Sequence, residues 1–134
     1  MIVDLDRLKD ISEIEFYDIV RDTVINGIND LRIILVDGSF IDVWYSLRLE
    51  GRFSYHWEKR HIDGLIYRHD NARHKKWKHL STFPKHFHDG DEEVVAESYL
   101  EDEPEKGLRT FLSFVREKFF TGGSKKDDGG RSSI

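Results

Sequence analysis

Apolar residues recur along this chain with two periods, and the switches between them mark its elements. Leu5, Leu8 and Ile11 stand three apart behind Asp4, a residue suited to cap a helix, and predict a short helix over Asp4–Ile11. From Ile14 to Ile25 the segment is β-branched and aromatic and runs into Asn26-Gly27, a pair that accepts the positive φ of a tight turn; this predicts a strand. Two apolar strands then flank Asp37-Gly38 between Leu31 and Tyr45. With a two-residue turn, Leu35 faces Phe40 and Ile34 faces Ile41. Both faces then carry apolar side chains, so the hairpin is expected near the middle of a sheet covered on both sides. Phe53–Lys59 alternates aromatic with polar residues, and Asp63-Gly64 turns it into the strand Leu65–His69.

The pattern then lapses. Asp70 to Asp91 is polar, holds Pro84 and reads as one long loop, a length that compact domains keep mainly for function. Glu93 to Tyr99 predicts an edge strand. Pro104 opens a final helix whose apolar stripe is Leu108, Phe111, Leu112, Val115 and Phe119, with Gly122-Gly123 as its stop. Thr121 to Ile134 is glycine, serine and charge, and predicts a disordered tail. The expected architecture is α+β: an antiparallel meander of five to six strands packed by the C-terminal helix and a short N-terminal helix, in one domain over residues 1–120.

Composition narrows the setting. At 134 residues the chain suits a single domain with its own core. It has no cysteine, which removes disulfides and thiolate metal sites and agrees with a reducing cytosol. The N-terminus is acidic where a signal peptide would be basic, and no run approaches the ~18 apolar residues of a membrane span. The expectation is a soluble cytoplasmic protein with no membrane partner.

Charge changes the picture more. The net charge is −5, yet between His56 and His88 eight Lys/Arg face three acids, so that window is basic and the remainder strongly acidic. All seven histidines fall inside it. One basic patch on an acidic protein suggests a local polyanion site, against the plainer reading of a solvated loop that gathered charge.

The residue types there suit metal-free phosphodiester cleavage, which needs a base, an acid and a cation for the charged phosphorus centre. His56, His86 and His88 are the proton-transfer candidates, Arg68 the phosphate clamp, and Asp70, two residues on, the group that orients it. If Asp63-Gly64 is a two-residue turn, Glu58 pairs with His69, Arg60 with Tyr67, Trp57 with Asp70 and Lys59 with Arg68; a three-residue loop exchanges the partners. His56, Glu58, Tyr67 and His69 then share one face, and Tyr55, Trp57, Ile66, Arg68 and Asp70 the other. His86 and His88 would point the same way on extended backbone and suit a metal, with His74 or His79 as third ligand; lysines on both sides weigh against that, and no metal or other cofactor is expected. Tyr55 can stack on a base or belong to the core, and Trp57 is read as core. Trp77, in the loop among Lys75, Lys76, Lys78 and His79, either stacks on a base or pins its loop; with Tyr55, Arg73, His74, Lys75, Lys76 and Lys78 it makes up the nucleic-acid-binding candidates. Phosphate-loop, nucleophile-elbow, paired-cysteine and H-E-x-x-H motifs are absent.

Three words of sequence occur in order: Tyr55-His56-Trp57, then Arg68-His69-Asp70-Asn71-Ala72-Arg73-His74, then Thr82-Phe83-Pro84-Lys85-His86-Phe87-His88. Together, over roughly Asp30 to Gly90, they resemble the core pattern of the TumE toxin family, a Y-H-W strand joined to R-Y-D-N-A-P-H-H and T-F-P-H-H-K-H. Arg73 stands where that pattern has proline and Lys75 where it has histidine, and Lys85 and Phe87 differ around the retained His86 and His88. The resemblance implies a small cytosolic toxin neutralised by a cognate antitoxin that often carries a helix-turn-helix. The matching positions are Tyr55, His56, Trp57, Arg68, Asp70, Asn71, His74, Pro84, His86 and His88. The function expected is a toxin acting on RNA as a metal-independent ribonuclease. The alternative is a non-catalytic module that uses the basic, His-rich loop to hold nucleic acid or a protein.

Overall fold

The computed structural model describes residues 2–121. Helix α1, Leu5–Glu15, starts where Asp4 accepts a hydrogen bond from the Arg7 backbone N–H at 3.1 Å. It runs past Ile11 because Ser12, though buried, donates its hydroxyl to the Leu8 carbonyl at 2.8 Å and so continues the inner face. Ile14 is therefore exposed helix rather than the start of a strand.

Strand β1, Val20–Asn26, is followed by β2, Asp30–Leu35, and β3, Phe40–Tyr45. Ile34 pairs with Phe40, and the Leu35 N–H donates to the Ser39 carbonyl, so Val36, Asp37 and Gly38 form a three-residue loop with Gly38 at φ +89°. That one-residue difference from the expected register sorts the hairpin cleanly. Leu31, Ile33, Leu35, Ile41, Val43 and Tyr45 are all buried on one face, while Arg32, Ile34, Phe40 and Trp44 are half-exposed on the other. The hairpin is covered on one side, not two. Arg32 closes part of the bare side by lying 4.0 Å over the Phe40 ring and pairing with Asp42 at 2.8 Å.

Strand β4, Phe53–Lys59, turns through a single helical turn, α2, Arg60–Asp63, into β5, Leu65–Asp70. The polar stretch that follows holds a 3₁₀ turn, Lys75–Trp77, and then a strand absent from the sequence reading, β6, His86–Gly90, paired to a short edge strand β7, Val95–Glu97. The sheet has seven antiparallel strands in chain order rather than five or six. Helix α3, Pro104–Thr121, buries Leu108, Phe111, Leu112 and Val115 as its spacing predicts. Thr121, expected to begin the tail, is helical, and Gly122-Gly123 and the rest of the expected tail lie outside the described residues.

Both helices pack on the same side of the sheet, around one core with Phe53, Tyr55 and Trp57 as its largest members. Arg109 reaches Glu15 at 2.8 Å and Arg116 reaches Asp18 at 2.7 Å, tying α3 to the end of α1 and the chain just beyond it. No helix among the described residues is long and apolar enough to cross a membrane. Where α3 begins, Gly107 lies so near the sheet that an added Cβ would stand 2.8 Å from the Glu101 carbonyl oxygen and 3.3 Å from the Tyr55 hydroxyl. Gly107→Ala should gain about 1 kcal/mol in helix propensity and lose more to the clash, a net loss of about 1–2 kcal/mol; urea unfolding would show it as a lower midpoint at unchanged slope.

Candidate functional site

The side of the sheet without helices collects the ionisable residues, and register explains why. The β4–β5 connection is not a two-residue turn: Gly64, at φ +82°, ends the helical turn by donating its N–H to the Arg60 carbonyl at 3.1 Å. His56 therefore pairs with Arg68, Ser54 with Asp70 and Trp57 with Tyr67. The odd shift from the expected pairing exchanges the faces. His56, Glu58, Arg68 and Asp70 come together, whereas Tyr67 and His69 turn toward the helices with Tyr55 and Trp57. Strand β6 extends both rows, with His88 opposite Arg68 and His86 opposite Asp70.

Arg68 is the hub. Its two terminal nitrogens donate to the Glu92 carboxylate at 3.1 and 2.6 Å, one of them also to His56 Nδ1 at 3.2 Å, and its Nε to Asp70 at 3.3 Å. Because a guanidinium can only donate, His56 Nδ1 must accept. The proton of neutral His56 is then on Nε2, which donates to Glu58 at 3.1 Å. Glu58 also receives the fork of Arg60 at 2.9 and 2.6 Å, and these bonds hold its carboxyl down at about 2. Hydrogen bonds from Arg68 likewise keep the Glu92 carboxyl below the usual range.

His86 and His88 are 2 % and 4 % exposed. Each Nδ1 faces a backbone carbonyl, Pro84 at 2.9 Å and Glu92 at 2.8 Å, and a carbonyl only accepts. Both Nδ1 atoms therefore carry protons, and in the neutral rings both Nε2 lone pairs are bare. His86 Nε2 lies 3.6 Å from Asp70, and ligand atoms of Asp70, His86 and His88 are all within 4.8 Å of one another. Burial, followed by the charge of Arg68, pushes the His88 imidazole below its ordinary value and favours its neutral form. Trp77 closes the cluster, its ring centroid 5.8 Å from that of His86 and 6.0 Å from that of His88.

The other sequence candidates divide. Tyr55 is fully buried on the helix side, its hydroxyl 2.5 Å from that of Tyr45 and donating to the Pro104 carbonyl at 3.3 Å, so it has no surface on which a base can stack. Trp57 is core, as read. Trp77 is half-buried against the two imidazoles rather than free in a cationic loop. Arg73, His74, Lys75, Lys76 and Lys78 remain exposed around it; His74 caps the 3₁₀ turn, and Arg73 lies 5.2 Å over Phe83. The third donor beside His86 and His88 is Asp70, not His74 or His79. Glu58 stays on the face of His56, as the sequence placed it; Glu92 was missed and carries no local signal, since only the unpredicted β6 and the turn after it bring it to Arg68. One residue beyond Asp70, a cleft of about 370 Å³ opens between Arg52, Asn71, Arg73 and Pro84.

Compared with known proteins, residues 4–119 match the family model described as Toxin TumE, from the cap of α1 to near the end of α3. No curated protein and no solved structure matches the chain.

Proposed function

The chain belongs to the TumE toxin family, and from that premise we propose that it acts on RNA in the cytoplasm, cleaving the phosphodiester backbone at the helix-free face, under the control of a cognate antitoxin of the helix-turn-helix kind. The toxin family itself suggests an antitoxin partner. The observation that carries the RNA reading is the environment of Arg68. Its planar fork already holds a two-oxygen anion, the Glu92 carboxylate, whose side chain is 42 % exposed on a loop. A phosphate that displaced Glu92 would meet the same bidentate donors, with imidazoles on either side. Arg73, Lys75 and Lys78 are exposed on the segment that carries Trp77, and their charge would attract a polyanionic strand.

Cleavage requires that the attacking oxygen lose its proton as it bonds phosphorus, and that the departing 5′ oxygen gain one as its P–O bond breaks. The Asp70, His86 and His88 cluster provides the acceptor atom for the first step, and the imidazolium so formed returns that proton to the departing 5′ oxygen in the second. His56, with both nitrogens engaged, is a positioning residue that aligns Arg68. Because Trp77 lies over the two imidazoles, the Lys75–Trp77 turn is the part that must yield to substrate. Expressing the chain without antitoxin should arrest growth and shorten cellular RNA, and the purified protein should cut RNA in vitro. Normal growth with intact RNA would overturn the reading. Binding that weakens steeply with salt but never cuts would favour the holding module instead.

A further inference from the structure

We propose that Asp70, His86 and His88 bind one divalent transition-metal ion of the zinc class, through a carboxylate oxygen and the two Nε2 atoms. This departs from the metal-free chemistry suggested by residue types alone, and it follows from where the protons must be. The Pro84 and Glu92 carbonyls hold a proton on each Nδ1, so each neutral ring offers a bare lone pair at Nε2. Neither Nε2 has a hydrogen-bond donor among the described residues. The third group, Asp70, adds another acceptor rather than the missing donor. Three acceptors gathered within 4.8 Å, two of them on buried rings, are complementary to a cation and repel one another without it.

The surroundings match those of metal-ligating side chains. An imidazole that binds metal through one nitrogen characteristically donates its other N–H to a carbonyl or carboxylate, which fixes the ring; both histidines do so here. Asp70 is braced from behind by the Arg68 Nε at 3.3 Å and the Ala72 N–H at 2.7 Å. Arg68 is itself paired with the Glu92 carboxylate, so its charge does not stand alone against an incoming cation. Ligand bonds of about 2.0–2.2 Å put tetrahedral donors about 3.4 Å apart. The 3.6 Å between His86 and Asp70 is already close to that, and side-chain rotation can close the rest. Imidazole with carboxylate suits zinc-class ions, and three protein ligands leave a coordination position open for water or a phosphate oxygen.

With an ion bound, the lone pairs of Asp70, His86 and His88 are taken, and water at the open position would accept the proton in their place; the ion's part in RNA cleavage thus rests on the function proposed above, its binding does not, and the two can be tested apart. The full-length untagged protein, stripped with chelator and dialysed, would be titrated with Zn²⁺ by calorimetry and with Co²⁺ by visible absorbance. One saturable equivalent is expected, with Co²⁺ showing the intense bands of a four-coordinate site. Asp70→Asn and His86→Gln should each weaken binding about 100-fold or more, while His74→Ala and His79→Ala leave it unchanged. The site is overturned if the parent binds no equivalent beyond the His86→Gln background, or if Asp70→Asn binds as tightly as the parent. A proton shared by His86 and Asp70 would be the explanation left. Should His86→Gln fail to fold, Asp70→Asn and the Co²⁺ spectrum of the parent still decide the matter. RNA cleavage by the parent at full rate in chelator would remove the ion from the reaction but leave the ribonuclease reading intact. Stoichiometric Zn²⁺ binding with RNA left whole would do the reverse.

Discussion

Arg68→Ala should lower RNA cleavage by about 10²–10³-fold, the usual cost of losing a charge-stabilising donor at the reacting phosphate, and should abolish growth arrest. The argument rests on the fork's geometry as well as its charge. Arg68 holds Glu92 with two nitrogens while touching His56 and Asp70, so its loss removes the anion site and frees three side chains at once. Arg68→Lys separates the two contributions. It restores one positive charge but cannot make the bidentate contact, and should recover only a small part of the activity. Circular dichroism and thermal melting of both variants would show whether the fold survives. Undiminished toxicity in a folded Arg68→Ala protein would remove Arg68 from the site.

The second large effect concerns stability in acid. His69 faces the helices, stacked on Phe87 at 4.4 Å and edge-on to Phe111 at 5.7 Å, with Nδ1 2.7 Å from the Ser98 hydroxyl. Burial, with the charge of Lys85 as a lesser cause, brings its imidazole down to about 4. In the unfolded chain it would titrate near 6.5. Between those values the unfolded state binds more protons than the native one, so stability rises with pH across that window. The contribution is complete above about 6.5, falls as the solution is acidified, and is gone once pH drops through about 4. From neutral pH to about 4.5 the loss attributable to His69 is roughly 2–3 kcal/mol. His69→Phe keeps an aromatic ring against Phe87 and cannot titrate. Urea unfolding of parent and variant at the two pH values should show the variant losing less by that amount, and equal losses would refute the assignment.

Much of this was legible in the chain, and the illegible parts share a cause. Helix α3 could be read because Leu108, Phe111, Leu112 and Val115 repeat at a period no strand can use. The Asp37-Gly38 hairpin was legible as a hairpin but not in register, since a two-residue and a three-residue loop around the same Asp-Gly differ by one position and alternation does not choose between them. The same ambiguity at Asp63-Gly64 put His56 on the opposite face from Arg68, where the structure makes them neighbours. Strand β6 escaped because it offers a single apolar side chain, Phe87, to the core, between two histidines, too little alternation to mark a strand. Asp70 as the companion of His86 follows only from the β5–β6 pairing, so a search for a third ligand along the sequence turned to His74 and His79 instead. Histidine and arginine content announced the site; pairing between distant strands assembled it.

Strand β7 spans only Val95–Glu97, and the turn leading into it carries Glu92. A ladder that short is where a sheet frays first. Unzipping it would draw the Glu92 carboxylate from Arg68 and, in the same stroke, the Glu92 carbonyl from the His88 ring. One residue thus covers the guanidinium with its side chain and fixes the imidazole with its backbone, so loosening that turn loosens both.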